Sequence, residues 1–449
     1  MTPNQMQPIL AELEEFLDYV THRMGRTERR EALGRYIRGL LLDGERKSMT
    51  PIAERVASTV DEVEAIRQRL QQAISVACWD EFEVFRRIAL RVEQNLPEVD
   101  AFVIDDTGFA KKGRHSVGVQ RQYSGTLGRI DNCQVATSLH LASRHGGACI
   151  GMRLFIPKSW ADDPDRRAKA GIPEELEHQT KLELAVDLLD RALKWGVKRR
   201  PVLADAGYGD STEFRKNLEE RGLEYVLRVS GTAVVWPPGT CPKEPPPKPP
   251  GVRGRPRTKW VAPEGVTAIS IAELAESLPS SAFRRITWGE GTRGPQSRRF
   301  AFLPVRTAHR HGAGQPPGEE QWLICEWSFS KGKPTAFYLS NLPKKTPRKQ
   351  LVYLAKLRWR IERDYQEMKS ELGLDHFEGR TWKGFHHHAA LVAAAHAFLT
   401  LHRAFFSPEQ FKSGGGRGRR TAAPADLTCL PRAASGRAPA DARALPHLR

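Results

Sequence analysis

The chain is predicted to fold as α/β, a mixed sheet flanked by helices, on three observations. From Ala101 the pattern runs strand, strand, strand, helix, strand, helix, strand: AFVID, DNCQVATSLHLA and ACIGMRLFIP, a helix from about Glu177 to Trp195, PVLAD, a helix from Ser211 to Arg221, and EYVLRV. The apolar runs Phe102 to Ile104 and Val202 to Ala204 are too short for helices, read as buried strands, and each leads into aspartate. Before them, residues 1 to 98 carry helical periodicity throughout, with amphipathic patterns at Pro8 to Met24, Thr27 to Leu42, Pro51 to Ala57, Val63 to Val76 and Glu81 to Gln94.

This rhythm divides the chain. A helical N-terminal domain is expected over 1–98, where TPIAERVAS and VDEVEAIRQRLQQAI have the spacing of a helix-turn-helix and, equally, of two plainly packed helices. The first part of the α/β core follows over 99–229. A Pro/Arg-rich and then β-rich insertion is expected over 230–345, from VVWPPGTCPKEPPPKPPGVRGRPRTKW to the strand-like RRFAFLPVR, QWLICEWSFS and TAFYLSNL. The core resumes over 346–406, with Thr346 as cap and Pro347 opening a long helix. A basic tail over 407–449, rich in Gly, Ala, Pro and Arg, has too few large apolar residues to fold alone and is expected to be disordered. Its composition also suits a GC-rich coding stretch read in an unintended frame, which resequencing the locus would test.

Seventy Lys and Arg against 53 Asp and Glu leave +17, and the chain before the tail still carries +12, so the basicity belongs to the folded part. Such a surface favours a polyanion, nucleic acid first. The six cysteines form no C-x-x-C pair, which argues against a zinc module and gives no disulfide framework; a reducing cytoplasm is the expected location. No basic-then-apolar leader opens the chain and no run approaches the ~20 apolar residues of a membrane span, so no membrane is expected as partner.

Three acids carry the chemistry: Asp106 in FVIDDTGF, Asp205 in PVLADAGYGD and Glu362 in RWRIERDYQEMKSELG. Two strand-end aspartates and a helix-borne glutamate make an oxygen-ligand set for divalent metal, suited to phosphodiester chemistry because paired metals clamp the attacking and leaving oxygens. On the helix, Leu354, Ile361, Tyr365, Met368 and Leu372 form a buried stripe, and Arg358, Glu362 and Lys369 stack beside it, an arrangement a simple salt-bridge ladder would also produce. Lys111 and Lys112, in the KKGRH run after the first acid, would grip a nucleic-acid backbone or simply be solvated. Arg253 and Arg255 lie in Arg-Gly-Arg-Pro, the shape of a minor-groove hook or of a solvated linker. Trp288 is a candidate to stack on an unpaired base, with Trp260, Trp322 and Trp327 as competitors. His386, His387 and His388 point in successive directions on a helix, so packing suits them better than one shared ion. Asp210 is expected as a helix cap.

RWRIERDYQEMK closely resembles the third-acid helix of bacterial insertion-sequence transposases of the DDE class, in the group marked by Tyr-x2-Arg-x3-Glu-x6-Lys. Arg358, Glu362 and Lys369 match that spacing, and the tyrosine position is Ala355, for which Tyr365 or Tyr353 would have to substitute. IDDTGFAKKG and LADAGYGD resemble the group's first and second acid motifs, LGLDHFEGRTWKGFHHH supports the match, and the likeness covers roughly residues 50 to 405. The resemblance implies a ribonuclease-H-like core in which the first strand and the strand after the helix lie side by side, bringing Asp106 near Asp205. It implies two Mg²⁺ ions, or Mn²⁺ on the same ligands, held by Asp106, Asp205 and Glu362 as catalytic residues. Arg358 and Lys369 would hold phosphates. The partners implied are DNA, as terminal inverted repeats and target, and a second copy of the chain in a homodimer on paired ends; the reaction is cleavage at the element ends and transfer of the 3′ hydroxyl. Adjacent strand residues face opposite ways, so only one of Asp105 and Asp106 enters the site; Asp106, which precedes Thr107 as in the motif, is the expected one and Asp105 the alternative. A nuclease without strand transfer and a catalytically silent DNA-binding regulator are the rival readings.

Overall fold

Among the described residues five α-helices precede the first strand: α1 Pro3–Thr21, α2 Thr27–Leu41, α3 Met49–Val56, α4 Val63–Gln71 and α5 Glu81–Asn95. The structure, a computed structural model, describes residues 3–405 apart from 126–127, 252, 292–293, 309–313, 315 and 329–331; the tail expected at 407–449 lies outside the described residues. Asp80 opens α5 by accepting the Phe82 amide on its side chain.

Four strands follow, β1 Ala101–Ala110, β2 Gln120–Ser124, β3 Arg129–Ala142 and β4 Gly147–Leu154. Then come α6 Lys158–Ala161, α7 Pro164–Ala170, α8 Lys181–Lys194, β5 Val202–Ala204, α9 Ala206–Gly209, α10 Thr212–Glu220 and β6 Tyr225–Val229. A Thr180–Glu183 capping box starts α8. Ser211, not Asp210, caps α10, accepting the Phe214 amide; Asp210 instead accepts the Ser230 amide and ties the turn to the end of β6. β1 pairs antiparallel with β3 along its length, β3 pairs antiparallel with β4, and on its other edge β1 runs parallel to β5, which runs parallel to β6. The order β4-β3-β1-β5-β6, with α8 and α10 as crossovers, is the ribonuclease-H-like arrangement.

The segment after β6 extends this same sheet. It contributes β7 Val234–Trp236, β8 Ile269–Ser270, α11 Ile271–Glu276, β9 Arg284–Gly291, β10 Gly294–Thr307, β11 Glu320–Trp327 and β12 Ala336–Ser340. β12 pairs antiparallel with β6, and β11 and β10 follow in order, giving twelve strands among the described residues. A smaller core of its own, including Val235, Ile271, Phe283, Val305, Leu323 and Phe337, packs one face of these added strands.

The chain closes with α12 Arg348–Leu357, α13 Trp359–Ser370 and α14 Trp382–Phe405. The single long helix expected after Thr346 is thus two, parted at Arg358, and Pro347 rather than Thr346 takes the cap position. The expected stripe is buried: Leu354, Ile361, Tyr365, Met368 and Leu372. α14 is buried on nearly every side, which is the environment its all-round apolar sequence requires. It lies against β4 and α13 and against α1, α2 and α5, so one continuous core joins the N-terminal helices to the sheet. The three histidines serve that junction. His386 Nε2 accepts the Leu154 amide, His387 stacks on Trp79 at 3.7 Å between ring centroids, and His388 Nδ1 shares a 2.9 Å hydrogen bond with the Tyr36 hydroxyl. No helix among the described residues is long and apolar enough to cross a membrane.

Candidate active site

The pleat of β1 decides which acid goes where. In register, Asp105 stands opposite Ser138 and Asp106 opposite Thr137, so the two pairs lie on opposite faces of the sheet. Ser138 Oγ is 2.7 Å from the Tyr365 hydroxyl on α13, whereas Thr137 Oγ1 donates to Asp106 Oδ1 at 2.8 Å. Asp105 therefore faces the glutamate-bearing helix. Asp106, expected to be the first ligand, faces the other way, toward α8, where Lys181 Nζ meets its Oδ2 at 2.9 Å and the Tyr208 hydroxyl donates to its Oδ1 at 2.6 Å.

Asp205 falls in line with Asp105. Val103 pairs in parallel with Leu203, and each acid follows two residues later, Asp205 just past the end of β5 and near enough for its charge to act on Asp105. Arg358, at the break between α12 and α13, completes the group. Its Nη1 donates to Asp105 Oδ2 at 3.0 Å and its Nη2 to Glu362 Oε1 at 2.5 Å. The guanidinium is largely buried while the Glu362 side chain is half exposed, so the cluster opens to solvent on the glutamate side. Burial pushes the Asp105 carboxyl up to about 7, with the Asp205 and Asp106 charges adding to the effect and Arg358 opposing it.

Asp205 Oδ1 is buried without a hydrogen-bond partner, a costly state for a carboxylate oxygen and one that a cation would relieve. Among the described residues no group of three or more His, Cys, Asp or Glu side chains is arranged to hold a metal ion, and Arg358 bridges two of the acids. The donor chemistry nevertheless fits a hard divalent ion, since Asp105, Asp205 and Glu362 offer only carboxylate oxygens.

A buried polar chain fixes α13 on the sheet. His140 Nδ1 bonds Asp364 Oδ2 at 2.8 Å, His140 Nε2 bonds Ser138 Oγ at 3.0 Å, and the Tyr365 hydroxyl donates to the Asp105 carbonyl at 3.0 Å. Sequence reading missed His140 and Asp364; an aspartate two residues past Glu362, next to the tyrosine of the apolar stripe, was the available signal. Tyr365 is committed to this chain, and Tyr353 donates to Asp100 Oδ2 at 2.6 Å. The glycine at 209 is equally committed: a Cβ there would lie 1.9 Å from the Arg228 carbonyl oxygen. Gly209→Ala is expected to push the Asp205 turn off β6 and cost about 1–3 kcal/mol, read as a lowered midpoint in chemical unfolding.

The other expected contacts divide. Lys369 donates to the Gly108 carbonyl at 2.9 Å beside the Phe109 ring, and burial lowers its pKa to about 8. Lys111 is turned inward, donating to the Phe377 carbonyl at 2.9 Å, so it holds the β1 end to the α13–α14 connection; Lys112 is exposed. Arg253 and Arg255 are exposed on irregular chain. Trp288 is half-buried on β9, edge-on to Phe300, with Lys356 Nζ 5.4 Å from its ring centroid. It lines an open cleft of about 1020 Å³ together with Tyr353, Trp359 and Arg360. Trp359, 58% exposed beside Arg358, was not singled out from sequence because its helix looked continuous.

A family model described as DDE superfamily endonuclease matches residues 15–295. A probable transposase for insertion sequence element IS701 from Microchaete diplosiphon is 31% identical over 202 residues, 44% of this chain and 48% of that protein. The chain thus spans about half the length of this curated relative. A solved piggyBac transposase synaptic complex with hairpin DNA aligns over 88% of this chain and 74% of that one, at 10% identity and a TM-score of 0.39.

Proposed function

Because the chain belongs to the DDE superfamily endonucleases, we propose that it is an insertion-sequence transposase that cuts DNA at the element's ends and transfers the freed 3′ hydroxyl into target DNA. The observation that carries the site assignment is Arg358 bonded at once to Asp105 and Glu362, with Asp205 just past the end of the neighbouring strand and near enough for its charge to act on Asp105. Asp105, Asp205 and Glu362 are the proposed ligands, for Mg²⁺ or Mn²⁺. Bound there, divalent metal supplies positive charge at the attacking and leaving oxygens and lowers the pKa of water or a 3′ hydroxyl.

The chain's own residues supply position and charge. Arg358 offers a planar fork that passes from carboxylates to a phosphate, and Lys369, at the far end of the same helix, adds a point charge. Lys112, Arg253 and Arg255 extend the basic surface along the DNA backbone, and Trp288 with Trp359 gives the adjacent cleft aromatic faces for an unpaired base. Two copies of the chain would hold the two ends together. The Arg253→Ala, Arg255→Ala double variant is expected to weaken duplex binding and reduce the slope of log affinity against log salt by about 2, in titrations from low to moderate salt.

The test is incubation of purified protein with Mg²⁺, a labelled duplex bearing the inverted repeat from its own locus, and plasmid target. Joined products are the expected result. Cleavage without joining would make it a nuclease, and binding with neither would make it a regulator.

A further inference from the structure

We propose that Asp106 is a positioning residue which, through Tyr208, sets the place of Asp205 from the opposite face of the sheet. This rests on the assignment of Asp105, Asp205 and Glu362 as the cation site.

The need for such a tie lies in the strands. β1 continues to Ala110, but β5 ends at Ala204, and the β1–β5 ladder covers only Phe102 with Val202 and Val103 with Leu203. Asp205 thus stands just beyond the last paired residues, where the β1 ladder no longer sets its distance from Asp105. The Asp106 carboxylate spans that gap. Its Oδ1 accepts from Tyr208 at 2.6 Å and from Thr137 on β3 at 2.8 Å, and its Oδ2 meets Lys181 at the first turn of α8 at 2.9 Å. Tyr208 belongs to the short turn that Asp205 opens: the Tyr208 and Gly209 amides donate to the Asp205 carbonyl at 3.2 and 2.8 Å. Fixing the tyrosine fixes that turn. The ring is 3% exposed and packs on Phe214 at 5.4 Å, so it has no room to swing. Strand β1 therefore presents one carboxylate to each face, Asp105 to the reaction and Asp106 to a clamp.

Tyr208→Phe removes the hydroxyl while keeping the ring, and Lys181→Met removes the other side of the clamp. The measurement is Mn²⁺ affinity of the folded protein by titration calorimetry, with cleavage followed against Mn²⁺ concentration. The proposal expects Tyr208→Phe to weaken Mn²⁺ binding ~10-fold or more, the scale for loss of a group that orients a ligand, and cleavage to recover at saturating Mn²⁺. Asp106→Asn should behave likewise, and Asp105→Asn should not recover. Unchanged Mn²⁺ affinity in Tyr208→Phe and Lys181→Met, with wild-type binding intact, overturns the positioning role. Loss in Asp106→Asn that no Mn²⁺ concentration restores overturns it too and makes Asp106 a ligand. Absence of Mn²⁺ binding and cleavage in the wild type overturns the site assignment itself, a result separate from the other two.

Discussion

Asp205→Asn and Glu362→Gln are each expected to lower cleavage roughly 10³-fold or more, the scale on which members of a catalytic unit fail, while duplex affinity is unchanged. The reason is division of labour: the acids are drawn together around Arg358, whereas the exposed basic residues proposed to meet the DNA backbone lie outside the cluster. Asp105→Asn belongs with them and carries a second signature in stability. Its carboxyl is raised from an ordinary 3.8 to about 7 by burial, so between those values the folded chain holds a proton that the unfolded chain releases. Folding stability contributed by this group therefore falls as pH rises from about 4 to 7 and levels off above. The asparagine variant escapes that penalty. Thermal unfolding in the absence of metal should show it more stable than wild type by a few degrees at pH 8 and no more stable at pH 4. A variant equally destabilised at both values would mean that Asp105 is held as a partner of Arg358 rather than as a strained ligand.

Arg358→Ala should separate cation binding from catalysis. The guanidinium occupies two of the three acids, so its removal is expected to tighten Mn²⁺ binding roughly tenfold, about 1.4 kcal/mol, by lifting both competition and like-charge repulsion. Cleavage should nonetheless collapse, because the fork that would grip the phosphate is gone. Arg358→Lys keeps the charge without the fork and should leave Mn²⁺ affinity near wild type while still cutting poorly. Calorimetry and a gel cleavage assay on the same preparations check both halves; weaker Mn²⁺ binding in Arg358→Ala would show the arginine to be scaffolding for the acids.

Much of this was legible in the sequence, for local reasons. The aspartate after the apolar run at 202–204, the alternation after Ala101 and the apolar stripe on the last acid's helix are local patterns, while the ribonuclease-H-like order came with the family resemblance and the end of β1 was misplaced, since the strand runs on past Asp106 to Ala110. The choice between Asp105 and Asp106 was not local. It depends on which face of β1 receives α13, and that is fixed by contacts more than 200 residues apart in the chain, Ser138 with Tyr365 and His140 with Asp364. The same holds for the break at Arg358, invisible in helical periodicity, and for α14, whose apolar sequence announces burial without saying that the N-terminal helices share with β4 in burying it.

The most direct test is a crystal of the chain with its terminal-repeat duplex and Mn²⁺, read by anomalous scattering. The account predicts manganese among Asp105, Asp205 and Glu362, with Arg358 turned onto a phosphate. Manganese on Asp106, with Lys181 and Tyr208 displaced, would contradict it.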